Sequence, residues 1–276
     1  MIEDEELQDE ADLDEELESV VETEPNENAD PQTVVDAHIP EDIRQKYEIL
    51  SYRGAAVSLA QSHVTEFDDL LEALRSFSIT TKIIRLPGGN ESEIPKLVSK
   101  TLRPAGWHET IIRGDLSVKL TWKELVIPKK KLLLVKAKPT YEKHERVIER
   151  RNYLDGHKID YVKGKVAFDL EWNSKDQTFD RDLYAFNAFF QSGIINVGVL
   201  LTRGRSLNPV LRALGPALKK DGTEHESKLT SEKYGASTTW WGKLIYRLNA
   251  GRNGGCPVLA VGITPACISD WPVQKS

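Results

Sequence analysis

The stretch "HKIDYVKGKVAFDLEWNSKDQ", residues 157–177, combines β-strand character with an unusual number of acidic side chains. Three carboxylates occur in it: Asp160, Asp169 and Glu171. Apolar residues lie before, between and after the last two acids: Phe168, Leu170 and Trp172. Asp and Glu are depleted in β-strands, so strand stability alone does not account for this pattern.

A glycine in the middle of the stretch predicts a β-hairpin. Gly accepts the positive φ of two-residue hairpin turns, and a turn at Lys163 and Gly164 would place Asp160 opposite Ala167. Side chains alternate along a strand, so Asp160, Asp169 and Glu171 would share one face. The apolar residues would point from the other face into a core.

Three carboxylates held close together repel one another, which raises at least one pKa unless a cation lies between them. Hard oxygen ligands suit Mg²⁺, which binds through one or two carboxylates together with waters and substrate phosphate. Such a site supports the attack of water on a phosphodiester. The alternative is a solvent-facing sheet edge whose acids protect against aggregation.

The rest of the chain mixes helical and strand patterns, which predicts one α/β domain. Helices are expected at 54–77, 92–102, 141–151, 178–193 and in the later part of 234–251. Further strands are expected at 116–122, 131–138, 194–202 and 256–264, the last two as interior strands because they are apolar on both faces.

Charge is distributed unevenly along the 276 residues. The net charge is −6, yet residues 1–30 carry 15 acidic residues and no Lys or Arg, which leaves 28 acidic against 37 basic residues in the remainder. Residues 1–43 are expected to form an acidic disordered tail, and 44–276 the folded domain. A basic body favours a polyanionic partner. The tail would either aid solubility or mimic DNA.

No apolar segment is long enough to cross a bilayer, and no signal peptide is evident. The two cysteines, Cys256 and Cys267, have neither zinc-knuckle spacing nor the number needed for a disulfide framework. A cytoplasmic protein with reduced thiols and no membrane contact is therefore expected.

The segment "DYVKGKVAFDLEWNSKDQTFDRDL" resembles the catalytic core of the BglII/BamHI-type restriction endonucleases, members of the PD-(D/E)xK nuclease fold. The resemblance extends over most of the chain after residue 46. It is carried also by "YRGAAVSLAQSHVTEFDDLLEALRSF", "GWHE" and "VGVLLTR". It implies a restriction-endonuclease-like domain with a central mixed β-sheet flanked by helices. It also implies Mg²⁺ as cofactor, double-stranded DNA as substrate and a homodimer that cuts palindromic sites, one strand per subunit.

The resemblance assigns roles to the acids. Asp160 would be the metal-binding Asp of the first hairpin strand, and Asp169 the first acid of the (D/E)xK triplet. Glu171 replaces the usual Lys, which leaves three roles open: base, metal ligand or water-orienting group. The predicted helix 141–151 offers Glu145 as a further catalytic acid, although a solvated acidic helix face explains it equally well.

Two polar segments are candidates for DNA contact: Asn173, Ser174 and Lys175, and then Ser237, Thr238 and Thr239. The first set follows the catalytic strand, and its side chains are types that read base edges or bind phosphate. The second set precedes a predicted helix start, where backbone N–H groups favour phosphate. Ordinary loop polarity and helix capping are the alternatives.

These observations predict a type II restriction endonuclease. A catalytically silent, sequence-specific DNA-binding protein of the same fold is the alternative, because Glu171 departs from the usual triplet. A glycoside hydrolase that uses Asp169 and Glu171 as its acid pair is disfavoured, because the basic body would then have no purpose.

Overall fold

The computed structural model describes residues 24–87, 93–126, 140–235 and 237–271. They form two compact units. The core unit comprises the chain up to Thr110 and from Lys158 onward, and the arm unit comprises Ile111–His157.

Helices and strands alternate through the described residues. The α-helices are α1 Gln32–His38, α2 Glu41–Lys46, α3 Ala55–Ser62, α4 Val64–Ser76, α5 Thr81–Arg85, α6 Glu93–Leu102, α7 Thr178–Gln191, α8 Leu207–Ala213 and α9 Trp241–Asn249. The strands are β1 Tyr47–Tyr52, β2 His108–Val126, β3 Thr140–Lys163, β4 Val166–Glu171, β5 Val197–Arg203, β6 Pro216–Leu218, β7 Glu224–Leu229 and β8 Val258–Ile263.

Six strands form a mixed sheet in the order β1-β8-β5-β4-β3-β2, and β6 pairs with β7 in a separate two-stranded sheet. The pairs β4–β5 and β5–β8 are parallel, whereas β1–β8 and β3–β4 are antiparallel. Every residue of β5 and β8 is buried, as expected for interior strands. The predicted α/β fold with a central mixed sheet is therefore confirmed.

Helices cover both faces of this sheet in the core unit. Phe168 and Leu170 of β4 join a core cluster with residues of α3 and α4 such as Leu59 and Leu70. On the other side α7 packs closely over β5, since a Cβ at Gly198 would lie 2.4 Å from the Phe186 ring. The helix α7 thus covers the sheet face to which the acids of β4 point.

Folded structure begins before the expected boundary at residue 43. Residue 43 lies within α2. Three apolar side chains up to and including this residue belong to the core: Val35, Ile39 and Ile43. Val35 lies on α1, Ile43 lies on α2 and Ile39 lies in the connection between them, so this part of the expected tail is folded against the core. Residues 1–23 lie outside the described residues.

The arm unit corrects one secondary-structure prediction. Residues 141–151 are part of strand β3, not a helix. Their Glu- and Arg-rich pattern suits a helix, but cross-strand contacts with β2 decide the outcome, because helix propensity is a weak preference. Trp122 and His144 stack with ring centroids 5.5 Å apart. The predicted strand 116–122 lies within β2, and residues 131–138 lie outside the described part of the chain.

Of the helices in the described ranges, none is long and apolar enough to span a membrane.

Candidate active site

The β3–β4 hairpin differs from its predicted register by two residues. Lys163 pairs with Val166, so the turn consists of Gly164 and Lys165, with Gly164 at φ +53°. The turn starts one residue later than predicted because the glycine occupies its first position. Extended one step, this register places Asp160 opposite Asp169 rather than Ala167. A shift of two residues leaves the faces unchanged.

The two aspartates are joined directly across the hairpin. The backbone N–H of Asp160 donates to Oδ1 of Asp169 at 2.9 Å. Asp169 is only 5% exposed. Burial raises the pKa of its carboxyl well above the usual range, and the charges of Asp182 and Asp160 raise this pKa further. An adjacent cation would stabilise the ionised form of this carboxyl and so offset the cost of its burial.

Glu171 lies at the end of β4 among charged groups of α7. Burial raises the pKa of its carboxyl, and hydrogen bonding from Ser174 opposes that rise. Arg181 extends its guanidinium to within 3.7 Å of Glu171 Oε1 and 3.2 Å of Asp182 Oδ1. The arginine therefore ties the two carboxyl groups into one cluster.

Asp182 is an acid that the sequence analysis did not single out. It is 3% exposed, and burial, together with the charge of Glu171, raises its pKa to about 8. Its Oδ2 accepts no hydrogen bond from any described residue. The sequence does contain a signal for Asp182, which falls between Phe179 and Leu183 on the apolar face of the predicted helix. Burial of an acid on such a face is costly unless the acid has a partner.

Asp160 and Glu171 open onto a cleft of about 940 Å³. The Asp160 side chain is half-exposed, and Lys158 Nζ lies 3.4 Å from its Oδ1. The cleft walls also include Asn173 and Ser174. A ligand in this cleft would reach Asp160, Glu171 and the segment that follows β4.

Asp160, Asp169 and Glu171 are the carboxylate donors that the hairpin offers to Mg²⁺. In the described ranges, no three or more His, Cys, Asp or Glu side chains are grouped so as to hold a metal ion. Mg²⁺ does not require such a group, because it binds through one or two carboxylates and completes its shell with water and substrate phosphates. Asp160 and Asp169, two carboxylates opposite each other on one face of the hairpin, fit that requirement.

Glu145 does not occupy the helical position that its prediction assumed. It lies on β3 in the arm unit, whereas the other three predicted acids belong to the core unit. Its carboxylate forms an ion pair of 2.7 Å with Lys119 of β2. Glu145 therefore takes part in an exposed ion pair between the two strands of the arm unit.

The two predicted DNA-contacting segments lie side by side. Lys175 forms an isolated antiparallel bridge with Thr238. The N–H of Asp176 donates to Ser237 O at 3.0 Å, and the N–H of Thr239 donates to Ser174 O at 2.8 Å. Residues 173–176 and 237–239 therefore form one paired element, here called the double loop.

Only part of the double loop can reach a ligand. Thr239 is fully buried, and its Oγ1 accepts from the Ser174 N–H at 3.2 Å, so its predicted DNA contact is corrected to a role inside the loop. Thr238 Oγ1 accepts from Arg203 at 2.6 Å, and Asn173 Nδ2 donates to Lys233 O.

Lys175 and Ser237 are exposed, and Ser174 is partly exposed. Sequence reasoning found both segments of the double loop. It did not separate the side chains that hold the loop together from those that are available to DNA.

Most of the chain, including the segments of this site, falls within one family match. The family model for restriction endonuclease BglII/BglIII matches residues 47–263. The match includes β1, the acidic hairpin, the double loop and β8. No curated protein matches the chain.

Proposed function

Because this chain belongs to the restriction endonuclease BglII/BglIII family and is therefore a type II site-specific deoxyribonuclease, we propose that it acts with Mg²⁺ as a homodimer on palindromic sites. Its substrate is double-stranded DNA. Each subunit would cut one strand, since a two-fold symmetric protein matches a two-fold symmetric site.

The observation that carries the proposal is the hydrogen bond from the Asp160 N–H to the buried Asp169 carboxylate, next to a cleft that Asp160 and Glu171 line. Asp160 and Asp169 would hold the cation. When bound, Mg²⁺ supplies charge stabilisation at the phosphoryl oxygens and makes water a better nucleophile. The chain's own part is to present the two carboxylates at a fixed spacing, because the Asp160 N–H holds Asp169 in place.

Glu171 would orient the attacking water and accept a hydrogen bond from it. Its carboxyl lines the cleft, and its raised pKa makes it more basic than an ordinary Glu. Arg181 and Asp182 lie against it on the side of α7 and limit its orientation.

Sequence recognition is assigned to the double loop. Lys175 and Ser237 would reach the DNA together with Ser174, and Lys side chains bind guanine edges or phosphate. Asn173, Thr238 and Thr239 would hold the loop through the internal hydrogen bonds described above.

The arm unit supports a homodimer. It exposes large apolar side chains on both strands, among them Trp122 at 46% and Val147 at 51%. A two-stranded ribbon is marginal by itself, and exposed apolar clusters mark interaction surfaces. A second copy of this chain would cover the ribbon.

Incubation of the purified protein with unmethylated phage DNA tests the proposal directly. Discrete fragments with Mg²⁺ and none with EDTA are expected, and mapping of the fragment ends would define the site. Intact DNA with both Mg²⁺ and Mn²⁺ would contradict the proposal and favour a binding protein that does not cut.

A further inference from the structure

A small hairpin lines the same cleft as Asp160 and Glu171. It comprises residues 216–229, contains β6 and β7, and is here called the lysine hairpin. Arg85 attaches it to the core unit through a hydrogen bond of 2.9 Å from Nε to Pro216 O, and also pairs with Glu224. The N–H of Thr230 donates to Gly215 O at 2.9 Å. The hairpin is therefore fixed relative to the cleft.

Charges on the lysine hairpin are segregated. Its three acids, Asp221, Glu224 and Glu226, do not line the cleft. Its cleft-lining residues are Ala217, Leu218, Lys219, Lys220, His225 and Lys228. The hairpin thus contributes only basic charge to a cleft that Asp160 and Glu171 also line.

The lysines are not equivalent. Lys219 forms an ion pair of 3.2 Å with Glu226. Lys233, next to the hairpin, is used internally, since its ammonium donates to Ile84 O at 2.8 Å. Lys220 and Lys228 are exposed, and within the described ranges their ammonium groups have no ion pair or hydrogen bond. Two cleft-facing cations are therefore available to a ligand.

From this arrangement we propose that the lysine hairpin is a second DNA-contacting element, in which Lys220 and Lys228 bind backbone phosphates of the strand held over Asp160 and Glu171. This inference rests on the proposed function and extends it. A cleft of this volume is comparable to a pocket for one drug-sized ligand, so it takes a short length of one backbone. Phosphate contacts position the DNA without reading its sequence.

Binding of a fluorescent mixed-sequence duplex in EDTA, measured by anisotropy over a series of salt concentrations, tests the inference. Each lysine that neutralises a phosphate contributes about 0.9 to the slope of log affinity against log salt. Lys220→Ala and Lys228→Ala should each lower the slope by about that amount, and Lys→Arg at the same positions should restore it. Both side chains are exposed, so thermal unfolding should be unchanged.

Lys100→Ala is the matched control, because Lys100 is exposed on α6, has no partner among the described residues and does not line the cleft. An unchanged slope in both hairpin variants, or an equal loss in Lys100→Ala, would overturn the inference. If the wild type cleaves DNA but the slopes of Lys220→Ala and Lys228→Ala equal that of the wild type, the hairpin contact alone is rejected. A reduced slope in the variants of a protein that never cuts would reject the proposed function alone.

Discussion

Asp160 donates its backbone N–H to the Asp169 carboxylate across the β3–β4 hairpin at 2.9 Å. One aspartate therefore positions the other through the main chain, and the two side chains belong to the same face of the hairpin, Asp160 half-exposed and Asp169 buried. The contact depends on the turn at Gly164 and Lys165, which sets the two residues opposite each other.

Asp169→Asn is expected to abolish cleavage and to preserve DNA binding. The amide oxygen can still accept from Asp160, so the hairpin is retained, but a negative ligand is lost. Metal charge stabilisation is worth several kcal/mol, and about 1.4 kcal/mol corresponds to a factor of ten, so the cleavage rate should fall roughly 1000-fold. Rates on plasmid DNA with Mg²⁺ measure this, with binding followed in Ca²⁺.

The exposed Asp68, on α4, provides the control for that experiment. Asp68→Asn should cut at the wild-type rate. Full activity in Asp169→Asn would remove Asp169 from the catalytic site.

Asp182→Asn is expected to stabilise the protein, mostly at alkaline pH. The folded-state pKa of about 8 lies above the unfolded value of 3.8, so the folded state binds more protons between these values. Stability is therefore lost as the pH rises from about 4 toward 8, and the loss is complete above the folded pKa. The uncharged Asn side chain in Asp182→Asn removes this dependence of stability on pH.

Thermal melts in EDTA from about pH 5 to about pH 9, which span the ionisation of Asp182 in the folded state, should show the gain in stability of Asp182→Asn. A difference of about 1–3 kcal/mol at the upper end is expected. Equal melting curves for both proteins throughout would contradict the burial of an ionisable Asp182.

Thr239→Val and Ser237→Ala should separate the two roles within the double loop. Val at position 239 leaves the Ser174 N–H without its acceptor, at a cost of about 1–3 kcal/mol in the free energy of unfolding. Ala at position 237 should leave stability within about 0.5 kcal/mol, because Ser237 is exposed, and should weaken binding to the cleaved sequence. Urea unfolding and competition binding measure the two effects.

The reverse result, with Ser237→Ala unfolding early and Thr239→Val weakening only DNA binding, would contradict the assigned roles.

Trp122→Lys is expected to shift the protein from dimer to monomer. A charge in the middle of an apolar interface is left without a partner and costs several kcal/mol. Light scattering during gel filtration measures the mass. Lys123→Ala, at the neighbouring exposed position of β2, is the control. A dimeric Trp122→Lys, or a monomeric wild type, would exclude the arm as the dimer surface.

The sequence by itself determined the elements that depend on local patterns. Alternation along 166–172 separated the acids from the apolar residues, and the apolar runs identified β5 and β8 as interior strands. These features follow from side-chain period and burial, which neighbouring residues reveal.

Only the tertiary structure decided which distant groups meet. Asp182 reaches Glu171 because α7 packs over the acidic face of β4. Residues 174–175 and 238–239 join because β4, α7 and α9 bring them to the same end of the sheet. Residues 141–151 became a strand because β2 lies beside them. Pairing between distant segments outweighs local propensity, and no local pattern records it.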